Sequence, residues 1–467
     1  MKEKLYRISP FWIKTILLNI KAYSNKKQRY SKNYHKYLVE YSTLWYSSRG
    51  QVLNYQKEQL SLLLKECYDN VLFYREKFDV LKINKEQIEK NPIEVLKFFP
   101  ILTKEDRKSK VEFLINNNSL RPSVEIGYTS GTSGTPTVNY LDKESIERSF
   151  ALWTRFHDTI GVGSKKNVKK VRFSGRLVVK PTSNKPPYWI YNKFDNQLFM
   201  STYHLTDSNL KHYIAKLNKF KPDLLDGYPS ALYILSKFII KNNLVLDFKP
   251  KAIATTAETL YDYQRLEIEK AFVCKVFNQY ASSEGVPPIT ECKNGRLHIH
   301  EDTGYFEFLN NENLPAKPGE IAKVVVTSFR NWKTPLVRYD IQDSVLLPLI
   351  QEKCECGCNM QYVDSIIGRE DDILWTEEKG YVGRMDTAYK GLEGIKKSQL
   401  IQISKNQLIV NQSVDKEYTE PMNRLFIQNL KDRLGESIDI KINILDDVPN
   451  GANGKFDAVI RKFEIDL

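Results

Sequence analysis

At 467 residues the chain exceeds the length at which one hydrophobic core stops growing, so two or three subdomains are expected. The composition, 41% hydrophobic and 12% aromatic, is globular, and no run of about 18 apolar residues supplies a membrane-spanning helix. A net charge of +13 suits anionic partners in general but selects none, because a lysine-rich solvated surface gives the same sum.

Taken in chain order, Met1 to Ile20 carries basic residues and a short apolar run from Phe11, but Lys14 interrupts that run and no small-residue cleavage site follows. It reads poorly as a signal peptide. Leu5, Ile8, Trp12, Ile16 and Ile20 are spaced for one helical face. This stripe is expected to pack on its own domain, and peripheral membrane contact through residues 1–40 is the second reading. Lys26, Lys27, Arg29, Lys32 and Lys36 interleave with Tyr23, Tyr30, Tyr34 and Tyr37, yet no recognised module contains them and no nucleic-acid partner is expected. From Gln56 to Phe78, Leu60, Leu63, Leu64, Cys67 and Val71 recur at helical spacing, so residues 1–125 are read as a helical cap.

Tyr128 to Pro136 reads Tyr-Thr-Ser-Gly-Thr-Ser-Gly-Thr-Pro. Hydroxyls and backbone N–H groups here can converge on phosphate oxygens if Gly131 and Gly134 let the chain turn with positive φ. A polar surface loop has similar composition. Order favours the anion site, because an amphipathic segment from Lys143 to Phe156 follows and places a helix start near the loop. No Gly-Lys-Ser/Thr ends the run, so it is not a Walker loop.

Beyond it, apolar runs at Val171 to Val179, Ala252 to Thr256 and Val273 to Phe277 alternate with amphipathic helices, which predicts a parallel sheet covered on both faces over residues 126–295. After Gly295, Leu297 to Ile299, Tyr305 to Leu309 and Ile321 to Thr327 predict a small barrel-like or antiparallel β subdomain, 296–370. The freedom of Gly368 and the charges of Arg369 to Asp372 mark a boundary, with residues 371–467 as a small mobile α+β lid.

The cysteines form a separate group. Cys354-Glu355-Cys356-Gly357-Cys358 places three thiols within five residues, and Cys292 precedes His298 by six. Cys292, His298, Cys354 and Cys356 are the best four for a tetrahedral zinc site, with Cys358 or His300 as substitutes and free buried thiols as the alternative. Grouped rather than paired cysteines, without an export signal, lead us to expect a reducing cytoplasm.

The Tyr128–Pro136 run resembles the phosphate-binding signature of the adenylate-forming superfamily, and that superfamily's other segments follow in order. Thr255-Thr256-Ala257-Glu258 resembles the motif lining the adenine and acyl pocket, and Asn278-Gln279-Tyr280-Ala281-Ser282-Ser283-Glu284 the one carrying the adenine-stacking aromatic and the magnesium glutamate. Arg338-Tyr339-Asp340-Ile341-Gln342-Asp343 resembles the ribose segment, Gly368-Arg369-Glu370-Asp371-Asp372 the hinge, and Pro449 to Lys455 the catalytic-lysine loop. Ser9-Pro10-Phe11-Trp12, Phe73-Tyr74-Arg75 and Asp226-Gly227-Tyr228-Pro229-Ser230 narrow the resemblance to the phenylacetate-CoA ligase branch and its CapK-like capsular-polysaccharide relatives.

This resemblance implies a large α/β domain over residues 1–370 and a lid over 371–467. It implies ATP-dependent activation of a carboxylic acid to an acyl-adenylate, then transfer to a thiol, most simply CoA. In that scheme Thr129, Ser130, Gly131, Thr132, Ser133, Gly134 and Thr135 hold the phosphates of ATP, and Glu284 binds Mg²⁺. Tyr228, Ala257, Glu258, Tyr280 and Ser283 border the adenine and acyl pockets. Asp343 accepts from both ribose hydroxyls. Lys455 and Arg369 complete the catalytic set, and Asp371 is the pivot of the lid. The chain departs from the pattern at Thr137, where lysine is common, and at Gln342, where glycine is common. The rival readings are transfer to an amine or hydroxyl on a sugar, and a non-catalytic nucleotide-binding scaffold in polysaccharide assembly.

Overall fold

The computed structural model describes residues 9–463 apart from 129–137, 164–167, 175, 177, 180–182, 184, 203, 206, 258–259, 261, 283, 369–373, 379, 383–384, 390–391, 393, 415, 417 and 449–458. It opens with helices α1 (Phe11–Arg29), α2 (Lys32–Trp45), α3 (Arg49–Asn70) and α4 (Leu72–Leu81), followed by the short α5 (Lys85–Lys90), α6 (Pro92–Phe98) and α7 (Lys104–Ser109). Ser48 and Gln51 form a capping box that starts α3. The helical spacing from Gln56 to Phe78 resolves into two helices because Val71 is extended, ending α3 and starting α4. Leu60, Leu63, Leu64, Cys67 and Val71 are buried in one core together with Val286, Val326 and Tyr339, so the cap is built onto the later β structure.

Strands β1 (Glu125–Tyr128) and β2 (Val138–Leu141) pair antiparallel, with Tyr128 opposite Val138. Helix α8 (Lys143–Thr159) follows. Next come β3 (Lys170–Ser174), β4 (Trp189–Asn192), β5 (Gln197–Ser201), α9 (Asp207–Phe220), β6 (Leu224–Gly227), α10 (Pro229–Lys241), β7 (Ala252–Thr256), α11 (Asp262–Phe272), β8 (Val276–Tyr280), β9 (Ile289–Glu291) and β10 (Leu297–Ile299). With β14 (Tyr362–Val363) they form a nine-stranded sheet ordered β14-β10-β9-β8-β7-β6-β3-β5-β4. Its centre, β5-β3-β6-β7-β8, is parallel, as the strand–helix alternation predicts. Leu297 to Ile299, expected in the small β subdomain, instead extends this sheet antiparallel through β9.

The second sheet is antiparallel: β11 (Gly304–Leu309), β12 (Ile321–Ser328), β13 (Tyr339–Leu346) and β15 (Ser365–Gly368). Beyond it lie the hairpin β16 (Leu374–Thr376) and β17 (Gly380–Val382), then β18 (Ile395–Ser404), β19 (Gln407–Val414), α12 (Glu420–Leu434), β20 (Asp439–Ile444) and β21 (Val459–Arg461). Leu400, Leu408, Val410, Phe426 and Leu430 give this C-terminal α+β unit a core of its own.

At the N-terminus, Tyr34, Tyr37 and Tyr41 are buried against α8, with the Tyr37 hydroxyl donating to Glu144 at 2.7 Å, so these tyrosines are core residues. One expectation changes there. The α1 stripe does not pack on its own domain: Trp12, Ile16 and Ile20 are exposed, whereas Lys14 and Ala22 on the opposite face are buried. Leu5 and Ile8 lie outside the described residues. Among the described residues no helix is long and apolar enough to cross a membrane.

Candidate nucleotide site and metal centre

The parallel strands β6, β7 and β8 lie side by side in register, pairing Gly227 with Thr255 and Thr256 with Gln279. Their carboxyl ends therefore form one edge, where open α/β sheets bind ligands. Tyr228, Ala257 and Tyr280 all sit on this edge. A Cβ at Gly227 would come within 2.6 Å of the Phe173 carbonyl oxygen, so only glycine lets β6 leave its neighbour and present Tyr228 at the start of α10. Ala257 has φ +66°, a left-handed conformation unusual for a residue with a side chain and of the kind that clusters at ligand sites.

Asp343 reaches the same edge from the second sheet. Between the pairs Lys323–Ser344 and Val325–Asp340, β13 carries two more residues than β12, which throws Ile341 to Asp343 out of the ladder. Gln342 turns there with φ +62°, and its N–H donates to Asp340 Oδ1 at 2.8 Å. This left-handed turn explains why glycine is common at the position. The Tyr280 hydroxyl donates to Asp343 Oδ2 at 2.5 Å, joining the two sheets through two of the expected nucleotide residues. Arg338, at the start of the same segment, grips Glu307 with two nitrogens at 3.0 and 2.8 Å. Glu284, just beyond β8, faces Tyr339; burial and then the Glu284 charge push the Tyr339 phenol up to about 12. Tyr339 lay inside the ribose motif without an assigned role, and no sequence signal marked the influence of the Glu284 charge on it.

Thr129, Ser130, Gly131, Thr132, Ser133, Gly134, Thr135, Glu258, Ser283, Arg369, Asp371 and Lys455 lie outside the described residues. Their described flanks bear on two expectations. Between the glycine run and α8 the chain forms β2, so run and helix are not directly consecutive in sequence. The N-terminus of α8 is also already occupied: Asp142 Oδ1 accepts from the Ser145 N–H at 2.7 Å and from its hydroxyl at 2.5 Å. This N-cap carboxylate satisfies one of the free N–H groups of that helix end and sets a negative charge against it. At the boundary, Ser344 pairs with Gly368, so the strand carrying Asp343 is bonded to the one that leads into residues 369–373.

The cysteine group assembles as the spacing suggests. The β9–β10 turn, closed by the Cys292 N–H to the Arg296 carbonyl at 2.9 Å, holds Cys292 near His298. Strand β14 pairs with β10, His298 opposite Tyr362, and brings the preceding loop with Cys354 and Cys356 alongside. Gly357 turns that loop with φ +90°, hard against the ring of Tyr46. The donor atoms of Cys292, His298, Cys354 and Cys356 all lie within 4.8 Å of one another, and all four residues are buried.

The spacing fits a tetrahedral ion. Cys292 Sγ and Cys354 Sγ are 3.8 Å apart, and Cys356 Sγ is 3.5 Å from His298 Nε2. A metal with Zn–S about 2.3 Å and Zn–N about 2.0 Å requires edges of about 3.8 and 3.5 Å. His298 Nδ1 lies 3.0 Å from the Met360 carbonyl, the contact that directs the other ring nitrogen to a metal. Cys356 and His298 draw the Cys292 thiol well below its ordinary value, toward the thiolate a ligand must be. The substitutes do not join. His300 is held between Arg155 at 2.8 Å and Thr290 at 2.7 Å, and Cys358 falls outside the donor group. Sequence reasoning missed Met360 and Trp45, whose ring lies 5.5 Å from that of His298; a backbone acceptor and a distant ring leave no motif.

A family model described as the CapK C-terminal domain matches residues 374–462. Protein CapK of Staphylococcus aureus is 35% identical over 467 residues, covering 97% of this chain and 98% of that protein. Phenylacetate-coenzyme A ligase of Escherichia coli (strain K12) is 25% identical over 330 residues, 68% of this chain and 71% of the ligase. Among solved structures, 2-hydroxyisobutyryl-CoA ligase in the postadenylation state with 2-HIB-AMP matches with a TM-score of 0.57 at 15% identity, over 90% of this chain and 91% of that one. The same ligase with 2-HIB-AMP and CoA in the thioesterification state matches with a TM-score of 0.57 at 14% identity, over 90% and 92%. The structural likeness shows a shared fold, a mixed α/β body with a parallel sheet and a small C-terminal β domain.

Proposed function

Because this chain belongs to the CapK family, we propose that it activates a carboxylic acid with ATP to an acyl-adenylate, releasing pyrophosphate, and then passes the acyl group to a thiol, most simply CoA. The observation that carries the proposal is the bond of Tyr280 to Asp343 on the edge shared with Tyr228, Ala257 and Glu284. It is supported by the CoA ligases among the relatives and by a neighbour of the same fold complexed with an acyl-AMP and CoA.

Attack of a carboxylate on the α-phosphate gathers negative charge on the phosphoryl oxygens, so the site must supply donors and cations aimed at them. In this reading Asp343 fixes the ribose with two accepted hydrogen bonds, and Tyr280 lays its ring on adenine while its hydroxyl holds the Asp343 carboxylate in place. Glu284 would hold Mg²⁺, which neutralises phosphate charge when bound. Tyr228 and Ala257 border the acyl group. Thr129 to Thr135 cradle the phosphates, with Glu258 and Ser283 near the base. Lys455 and Arg369 bring positive charge to the reacting carboxylate and α-phosphate, with Asp371 as the hinge that admits them. Cys292, His298, Cys354 and Cys356 would hold Zn²⁺ as a structural ion, since four protein ligands leave no open position for chemistry. The family relationship makes a part in surface-polysaccharide synthesis the favoured setting.

A panel of carboxylic acids tested for acid-dependent ATP–pyrophosphate exchange, with hydroxylamine trapping of the adenylate, tests the function. At least one acid should support exchange, and Lys455→Ala should abolish it while ATP still binds. ATP binding with no exchange against any acid would favour the non-catalytic scaffold.

A further inference from the structure

Helix α1 is docked by its polar side. Lys14 is buried and its Nζ donates to the Val178 carbonyl at 3.4 Å, while Asn19 donates to the Tyr191 carbonyl at 3.0 Å and accepts from the Lys193 N–H at 2.9 Å. Near its end, Lys26 reaches the Phe194 carbonyl and Arg29 pairs with Asp195 at 3.4 Å. The opposite side is apolar and open to solvent: Trp12 is 64% exposed, Ile16 50%, Ile20 61% and Tyr23 51%, with Leu17 beside them. At 100° per residue these side chains form one continuous arc. Tyr23 extends it onto Phe194 at 5.2 Å, next to exposed Tyr191 on edge strand β4. A domain that wanted this helix only as cover would bury the apolar arc and expose the lysine.

The charge carried by this segment of the chain is of one sign. From Lys4 to Val39 the chain carries nine Lys and Arg residues and no Asp or Glu. Lys21 and Lys27 flank the apolar arc, exposed, with Lys27 over the Tyr23 ring at 5.1 Å, and exposed Lys193 lies beside it on the β4 loop. An apolar strip bearing a Trp and a Tyr, with exposed Lys21, Lys27 and Lys193 beside it, is complementary to a bilayer with anionic headgroups: rings and aliphatic chains enter the interface while ammonium groups meet phosphate.

We propose that the exposed apolar arc of α1, Trp12, Ile16, Leu17, Ile20 and Tyr23 with its bordering lysines, docks this protein on the surface of an anionic lipid bilayer. The helix lies in the membrane plane and crosses nothing. The proposal stands independently of the acid-activating reading, because its residues lie far in sequence from the proposed nucleotide edge and anchor on edge strand β4, five strands along the large sheet from β8.

Flotation of the purified full chain with phosphatidylcholine vesicles, and with vesicles of phosphatidylcholine and phosphatidylglycerol in equal parts, tests it. The chain should float with the anionic vesicles, and less so in high salt. Ile16→Glu with Ile20→Glu should weaken this binding about ten-fold or more. Lys21→Glu with Lys27→Glu should weaken it on anionic vesicles only. All four side chains are exposed, so melting temperature should be unchanged. No flotation, equal flotation of parent and glutamate variants, or equal binding to neutral vesicles would overturn the proposal. So would a dimer in sedimentation velocity that the glutamate variants dissolve, which would give the face to a second copy.

Discussion

Asp343 and Tyr280 depend on each other. In the proposed ribose role a carboxylate offered to two hydroxyls discriminates only if its direction is fixed, and the phenol of Tyr280 holds it from the neighbouring sheet. If Asp343 holds the ribose as proposed, Asp343→Ala removes both accepted bonds, a loss of about 2–3 kcal/mol, so ATP binding measured by calorimetry should weaken about 30- to 150-fold. Tyr280→Phe keeps the ring and loses only the tether, with an expected weakening of about five-fold. Affinities equal to the parent in both variants would remove these residues from the nucleotide site. The identity of Asp343 was legible in its motif; its position was not, because a two-residue excess on one strand is visible only once its partner is known. Gln342 looked like a departure from the pattern, yet it adopts the left-handed turn a glycine favours, so the departure is one of cost rather than of shape.

His157 gives the fold a pH dependence of its own. Burial, then the charges of Lys170 and Arg172, push it down to about 3. The unfolded chain therefore takes up a proton through its ordinary range near pH 6.5 while the native chain does not. Stability is full above that range and is lost as pH falls, by about 2 kcal/mol between pH 7 and 5 from this group alone. Urea midpoints across that interval should show a shallower slope in His157→Gln, and identical slopes would contradict the assignment.

Among the elements, strand positions with dense apolar or β-branched runs were readable to the residue, as at Ala252–Thr256 and Leu297–Ile299. The run from Val273 misled by three residues: Val273 takes a left-handed turn with φ +50° after α11 and stays 66% exposed, so β8 starts only at Val276. Periodicity located the apolar face of α1 but could not say which face the domain takes, since buried Lys14 and half-buried Asn19 find their carbonyl partners at Val178 and Tyr191, far along the chain. The Cys₃His group was readable because thiol spacing is rare, while the pairing of β14 with β10 that closes it was not. Packed with Leu44, Trp45 and Val52, it ties the helical cap to the sheet. Purified protein should contain one zinc per chain. Its removal by chelation, or Cys354→Ser, should lower the melting temperature by about 5–10 °C. Protein without stoichiometric metal, melting unchanged by chelator, would leave a cluster of reduced thiols.

For the whole molecule, two sheets are joined at one edge by the Tyr280–Asp343 bond, and the chain goes on from the second of them into the C-terminal unit. The parallel strands offer Tyr228, Ala257, Tyr280 and Glu284, and the antiparallel sheet offers Asp343 on a strand bonded to the approach to residues 369–373. Such a division suits a two-step reaction, because a body that holds the nucleotide can stay rigid while a lid exchanges the group that faces it. The order of the motifs made this architecture readable, since each segment belongs to a known place in an α/β ligase. The acid cannot be read in the same way, because a pocket draws its walls from residues scattered along the chain.

The central claim is that these groups surround one nucleotide. A crystal structure with a non-hydrolysable ATP analogue and Mg²⁺ measures it directly. The account predicts both ribose hydroxyls within hydrogen-bond distance of Asp343, adenine against the ring of Tyr280, and the phosphates on the side of Glu284. A nucleotide bound elsewhere, with the Tyr280–Asp343 edge facing only solvent, would contradict it.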